Sequence, residues 1–225
     1  MTIGFRILPM PGRPDPKLLE RLRVLPVSNV SDNMQRSYGT SLNPIHASGR
    51  MVGTAFTVKT RPGDNLMVHK ALDMAAPGDV IVVDAGGALD SAIIGELMAG
   101  WAQKRGLAGF IIDGAVRDSG ILGEGDFPVY AAGITHRGPY KDGPGEINVV
   151  VSVGGMVVRP GDLITGDHDG VLAIAQEDAE RVIAAAEAQH RKEQAALEAI
   201  AAGNWDRTWV DVMLKARGCG LSGAK

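Results

Sequence analysis

The chain has 225 residues, 45% hydrophobic and 22% charged, with a net charge of −3 and a single cysteine, Cys219. That length supports a real core and the composition is that of a globular protein, not a disordered one. No dense Lys/Arg block marks a nucleic-acid groove, no apolar run is long enough for a bilayer, and one cysteine excludes an internal disulfide or a Cys-based zinc cluster. The N-terminal stretch is broken by prolines and lacks the apolar core of a secretory signal, so a soluble cytoplasmic protein is expected.

In chain order, residues 15–25 carry Leu18, Leu19, Leu22 and Leu25 at helical spacing, with Asp15 placed to cap and Pro16 in the first turn. A second helix start falls at 28–34, with Ser28 or Ser31 as candidate caps. A strand-rich middle follows, with β-branched runs at 49–60, 79–85, 107–113, 127–133, 147–155, 156–162 and 169–175. Pro-Gly-Asp recurs at 62–64, 77–79 and 160–162 and reads as turn punctuation, the aspartate bonding back to the backbone. Asp84 and Asp167, which close the phrases "PGDVIVVD" and "PGDLITGD", read as structural. Residues 177–203 form an Ala/Glu-rich helix that opens on acids and closes on Gly203. The tail holds two of the three tryptophans and is expected to dock on the body or on a neighbouring subunit. The whole, 1–225, reads as one α/β domain with a helical C-terminal extension over 177–225.

One stretch stands out. "GAVRDSG" (114–120) places Arg117 and Asp118 side by side directly after the apolar run 107–113. Upstream, Ile94, Leu97, Met98 and Trp101 lie at helical spacing, Gly95-Glu96 falls near the helix start and Gly106 ends it. A helix from Glu96 to Arg105 climbs about 15 Å and the following strand returns about 20 Å. Glu96 and the Arg-Asp pair should therefore meet beyond the strand's C-terminal end, where open α/β sheets bind ligands. Asp118 and Glu96 are oxygen donors suited to Mg²⁺ or Mn²⁺, Arg117 offers a fork to a carboxylate, and the amides of Leu97 and Met98 can share an anion. Such a set suits a small α-keto acid, with the metal as Lewis acid stabilising an enolate, as aldol cleavage or loss of CO₂ requires. From the residues alone, an Arg-Asp pair after a strand is more often a solvated turn, and acids at a helix start are what the helix dipole favours.

At these residues the sequence resembles the class II pyruvate aldolases of the 4-hydroxy-4-methyl-2-oxoglutarate / 4-carboxy-4-hydroxy-2-oxoadipate type, within the wider RraA-like family. The mark is an acid, twenty residues, then Arg-Asp: here Glu96, residues 97–116, and Arg117-Asp118. "VVDAGGALDSAIIGEL", "NVVVSVGGMVVRPGD" and "DHDGV" are also similar to the family, and the likeness covers roughly residues 20–200. The resemblance implies a swivelling β/β/α, phosphohistidine-domain-like sandwich, assembled as a homotrimer or homohexamer with sites between subunits. It implies that Arg117 holds the pyruvyl group, that Asp118 ligates the metal and that Glu96 acts through water. It further implies that backbone at Gly95, Glu96, Leu97 and Met98 holds the carboxylate. A glutamate from a neighbouring subunit's C-terminal helix would complete the metal shell; Glu193 matches best by position, with Glu187 and Glu198 as rivals. The implied activity is cleavage of a 4-hydroxy-2-oxo di- or tricarboxylic acid to pyruvate and a second oxo acid, with oxaloacetate decarboxylation on the side. The alternative is a non-catalytic RraA-like regulator that binds a ribonuclease or helicase.

The other polar residues are weighed more blandly. The five histidines include no pair at one-turn spacing, which argues against zinc. His69 reads as a helix-surface residue that could face the site. Lys70 is not needed as a Schiff-base amine beside a metal-type site, and Arg137, on a Gly/Pro-rich loop, reads as solvent-exposed.

Overall fold

The structure is a computed structural model that describes residues 2–220, so residues 221–225 of the expected C-terminal extension lie outside it. The chain divides into two compact units, Met1–Ala186 and Glu187–Lys225.

The first unit opens with β1 (Arg6–Ile7) and α1 (Pro16–Leu22). Pro16 has no amide to satisfy at the helix start, and the Asp15 side chain accepts from Lys17 N at 2.9 Å. α2 (Val27–Asp32) follows Pro26 and is capped by neither serine. Instead Asp167, 140 residues away, accepts from Val27 N at 3.0 Å, so a tertiary contact supplies what the local sequence does not.

A nine-stranded sheet then forms. β2 (Asn43–Pro44) lies at one edge, and β3 (Met51–Thr60), α3 (Leu66–Met74), β4 (Asp79–Ile94), α4 (Glu96–Lys104), β5 (Gly109–Val116), α5 (Ser119–Glu124) and β6 (Val129–Ile134) build its parallel centre in the order β3-β4-β5-β6. β7 (Gly145–Ile147) pairs with one end of β3. The pair β10 (Leu163–Asp167) and β11 (Gly170–Ile174) attaches at the other end through β10. β8 (Val151–Val153) and β9 (Met156–Val158) form a separate two-stranded sheet.

The central strands are apolar on both faces because both faces are covered. On one, Phe56, Ile81, Phe110 and Ile112 cluster with Val68 and Leu72 of α3 and Ala99 and Ala102 of α4. On the other, Ala55, Val80, Val82 and Ile111 cluster with Val151, Val153 and Val158 of the β8-β9 sheet.

β4 runs nine residues beyond the expected end at 85. Gly86 and Gly87 both take φ of +68°, a left-handed conformation that lets the strand bulge and resume. Its pairing with β5 slips between Asp84 and Ala88, again before Ala92, and again before Ile94. The helical spacing seen from Ile94 onward belongs to α4, which begins only at Glu96.

α6 (Gln176–Ala201) begins in the first unit, where Val182, Ile183 and Ala186 are buried, and continues into the second. Gly203, at φ +70°, follows its end as expected. The second unit adds α7 (Thr208–Ala216), a helix not anticipated as such, which buries none of its residues; Arg207 stacks over the Trp205 ring at 4.6 Å.

Candidate active site

The C-terminal ends of β4 and β5 lie side by side, Ile94 opposite Val116, and the next residues of each strand make the site. Arg117 N donates to Ile94 O at 3.0 Å, locking the two strand ends together. Gly95, the residue before α4, has no side chain with which to cap it, and Asp118 takes that role by accepting from Glu96 N at 3.0 Å. Asp118 holds φ 55° and ψ 34°, a left-handed conformation that Asp tolerates better than most residues. Its Oδ2 lies 3.6 Å from Arg117 Nε; Oδ1 makes no hydrogen bond among the described residues.

The approach is close because residue 95 is glycine. A Cβ there would stand 2.3 Å from Asp118 Oδ2 and 2.9 Å from Arg117 Cγ. Helix geometry leaves the N–H groups of Leu97 and Met98, in the first turn of α4, without partners inside the helix. Beside them opens a cavity of about 280 Å³ whose wall takes Asn65 from the residue before α3, His69 from α3, Leu97 and Met98 from α4, Arg117, and Lys141 from the loop before β7. Among the described residues no carboxylate or carbonyl takes the terminal N–H groups of Arg117, and Lys141 has no ion-pair partner.

The expected residues of the first unit are thus gathered, with one refinement. Gly95, Leu97, Met98 and Arg117 line the cavity, and Asp118 adjoins it through Gly95. The Glu96 backbone meets Asp118, but Glu96 itself lines an adjoining depression with Trp101 and Ile121. Glu193 belongs to the second unit, on α6, where it accepts from Gln189 Nε2 at 2.9 Å. Asp84 accepts from Gly86 N at 3.1 Å and lies 3.6 Å from Lys59 Nζ, in keeping with a structural part, and Arg137 is exposed, 3.9 Å from Asp90.

Two polar lining residues were missed in the sequence. Asn65 is 3% exposed; its Nδ2 donates to Ile93 O at 2.8 Å, while its buried Oδ1 has no partner among the described residues. An unmet buried acceptor costs about 1–3 kcal/mol, which a polar ligand in the cavity would offset. Lys141 sits in "GPYKDGPG", where nothing local marks it. His69 does face the cavity. Partial burial, then the Lys141 ammonium, holds its imidazole below the usual pKa against the pull of Asp73, so it is a neutral group there.

Asp64 anchors this wall from behind. It is wholly buried and accepts from Leu66 N at 2.9 Å, Asp142 N at 2.7 Å and Gly143 N at 2.9 Å, with Arg61 at 3.2 Å. Burial alone would raise its pKa, but those N–H groups and Arg61 together bring it below the ordinary value of 3.8. The folded carboxylate therefore contributes stability fully above that value and loses it as pH falls through the folded pKa. Asp64→Asn should destabilise the protein by about 2–3 kcal/mol at pH 7. Urea unfolding should show the gap to wild type shrinking at pH 3; an equal gap at both pH values would contradict this assignment.

Cationic groups and helix-end amides are thus gathered at the C-terminal ends of the parallel central strands, where open α/β sheets commonly bind ligands. The chain belongs to the RraA-like family, described as Aldolase/RraA, which matches residues 27–173. It is 39% identical over 184 residues to a protein of Halalkalibacterium halodurans provisionally named 4-hydroxy-4-methyl-2-oxoglutarate aldolase, covering 81% of this chain and 88% of that one. Among solved structures it is similar to an uncharacterized protein of Pseudomonas syringae pv. tomato, with a TM-score of 0.77 and 25% identity over 86% of this chain and 96% of the other. It is also similar to a Streptomyces coelicolor protein described as an unusual member of the RNase ES inhibitor RraA family, with a TM-score of 0.74 and 25% identity over 81% and 96%. Among the described residues no helix is long and apolar enough to cross a membrane.

Proposed function

We propose that this protein is a class II pyruvate aldolase that cleaves a 4-hydroxy-2-oxo di- or tricarboxylic acid to pyruvate and a second oxo acid, and decarboxylates oxaloacetate as a side activity. Arg117 carries the reading: a guanidinium with unused N–H groups at a cavity that also holds free helix amides and a second cation, Lys141. That set suits an anion with more than one carboxylate. The provisional name of the H. halodurans relative supports the same class of reaction.

In this reading the fork of Arg117 and the amides of Leu97 and Met98 hold the pyruvyl end. Fixed positive groups there favour the negative charge that builds up when the C3–C4 bond breaks. The C4 hydroxyl gives up its proton, the bonding pair becomes the enolate of pyruvate, and C3 takes a proton. His69, neutral and at the cavity wall, is a group able to carry one. Asp118, with Oδ1 unengaged, and Glu96 are the carboxylates that would hold Mg²⁺ or Mn²⁺, a hard ion for which one or two carboxylates suffice. When bound, the ion would supply Lewis-acid polarisation of the keto group. The family resemblance adds a glutamate from a neighbouring subunit's C-terminal helix to this shell, with Glu193 the best match by position. A trimer or hexamer with sites between subunits, and the swivelling β/β/α architecture, belong to the same proposal.

The test is to strip the protein with EDTA, add oxaloacetate or a 4-hydroxy-2-oxo dicarboxylate, and follow pyruvate through a coupled dehydrogenase. Turnover should vanish and return with Mg²⁺ or Mn²⁺, and Glu96→Gln should need roughly tenfold more metal for half-maximal rate. Pyruvate release indifferent to EDTA would remove the metal from the scheme. Absence of turnover with every oxo acid would favour the second reading, a non-catalytic regulator binding a ribonuclease or helicase. That reading draws on the S. coelicolor neighbour and on exposed Leu97, Trp101 and Ile121.

A further inference from the structure

The three Pro-Gly-Asp turns share a backbone bond: the aspartate N–H donates to the carbonyl three residues back, Asp64 to Arg61 at 3.0 Å, Asp79 to Ala76 at 3.0 Å, and Asp162 to Arg159 at 3.1 Å. In two of them the carboxylate closes the same turn, Asp79 accepting from Ala76 N and Asp162 from Arg159 N, each at 2.8 Å. The third departs from the pattern. Arg61 N donates to Pro144 O at 3.3 Å, and the Asp64 carboxylate reaches the amides of Asp142 and Gly143, almost eighty residues on. Two backbone bonds reinforce the link: Tyr140 N donates to Gly63 O at 2.8 Å and Asn65 N to Tyr140 O at 3.0 Å.

The segment so held is "GPYKDGPG" (138–145), whose glycines would otherwise leave its backbone loose. It supplies Gly138 and Lys141 to the cavity wall, and a Cβ on Gly138 would come within 3.5 Å of Arg117 Nη1. We propose that Asp64 is a positioning residue for substrate: by fixing this segment it presents Lys141 to the cavity that holds Arg117, where the ammonium takes the second carboxylate of the oxo acid. The assignment rests on the aldolase reading and adds to it a device for preferring dicarboxylic substrates. A pre-ordered lysine binds more tightly than a mobile one because less freedom is lost on binding.

Asp64→Asn, Lys141→Ala and the double variant test this, with two readouts. Hydrogen exchange at the amides of Asp142 and Gly143 should accelerate at least about tenfold in Asp64→Asn. For a 4-hydroxy-2-oxo dicarboxylate, KM should rise about tenfold in either single variant with kcat within about twofold, because the contact serves substrate and transition state alike. The KM for C3 proton exchange on pyruvate, which has no second carboxylate, should barely move. The double variant should be no worse than Lys141→Ala, since both changes remove one contact. A merely structural role would lower kcat through the active fraction, leave KM unchanged and add to the lysine change, and any of these overturns the proposal. Unchanged exchange at 142 and 143 overturns it whether or not the protein is an aldolase. A wild type that turns over no oxo acid instead overturns the aldolase reading, and the substrate role of Asp64 with it.

Discussion

Gly95→Ala should reduce kcat/KM for pyruvate release by about 10³ while lowering Tm by only a few degrees. The backbone does not resist alanine there: φ is −149° and ψ −163°, extended values open to any residue. What resists is the space. A methyl group would lie 2.3 Å from Asp118 Oδ2, 2.9 Å from Arg117 Cγ and 3.1 Å from Arg117 Nε, so both side chains must move at once. The Glu96 N–H bond to Asp118 would go as well, and with it the cap of α4. A displacement of about 1 Å at one reacting group already costs about 10²-fold in rate, and here two groups shift together. Activity within tenfold of wild type, measured beside a thermal melt, would show that the pair is not the centre of the chemistry.

Arg117→Ala should be equally severe, on the order of 10³ or more in kcat/KM, because it removes a preorganised charged donor aimed at the charge that develops in the reaction. The fold should tolerate it. The Arg117 side chain is 43% exposed, and its structural bond, from the backbone N–H to Ile94 O, survives any substitution except proline. Arg117→Lys should recover little, since an ammonium is a point charge and cannot bridge two carboxylate oxygens as a planar fork does. Added guanidinium salts should partly restore Arg117→Ala and leave Gly95→Ala unchanged. That contrast in the coupled assay separates a missing donor from a displaced one. Full activity in Arg117→Lys would argue that net charge alone is needed.

The meeting of Glu96 and Asp118 was legible because it is local in three dimensions as well as in sequence: one helix out, one strand back, the two lengths nearly cancelling. The central strands β3 to β6 were legible from their apolar runs, which are continuous because both sheet faces are covered, whereas β1, β2 and β10 fall outside every expected run. Harder features depend on distant partners. The cap of α2 comes from Asp167, and nothing in "PVSNVSD" announces that neither of its own serines caps the helix. The length of β4 was hidden because paired left-handed glycines break the alternation by which a strand is read, though the chain continues through them. Asn65 and Lys141 join the site only after the loop before β7 has closed on Asp64, a contact made across almost eighty residues. Asn65 directly follows the one Pro-Gly-Asp whose carboxylate leaves its own turn, a distinction that three identical tripeptides cannot display.

The left-handed backbone of Asp118 bears on how this site is kept over evolutionary time. Asparagine adopts that conformation at least as readily, and its side-chain oxygen could still accept from Glu96 N. The fold thus places little premium on the negative charge at position 118, which a single nucleotide change can remove. Folding selection alone would let asparagine drift in and stay. A lineage relieved of the chemistry should lose this carboxylate early while its architecture persists.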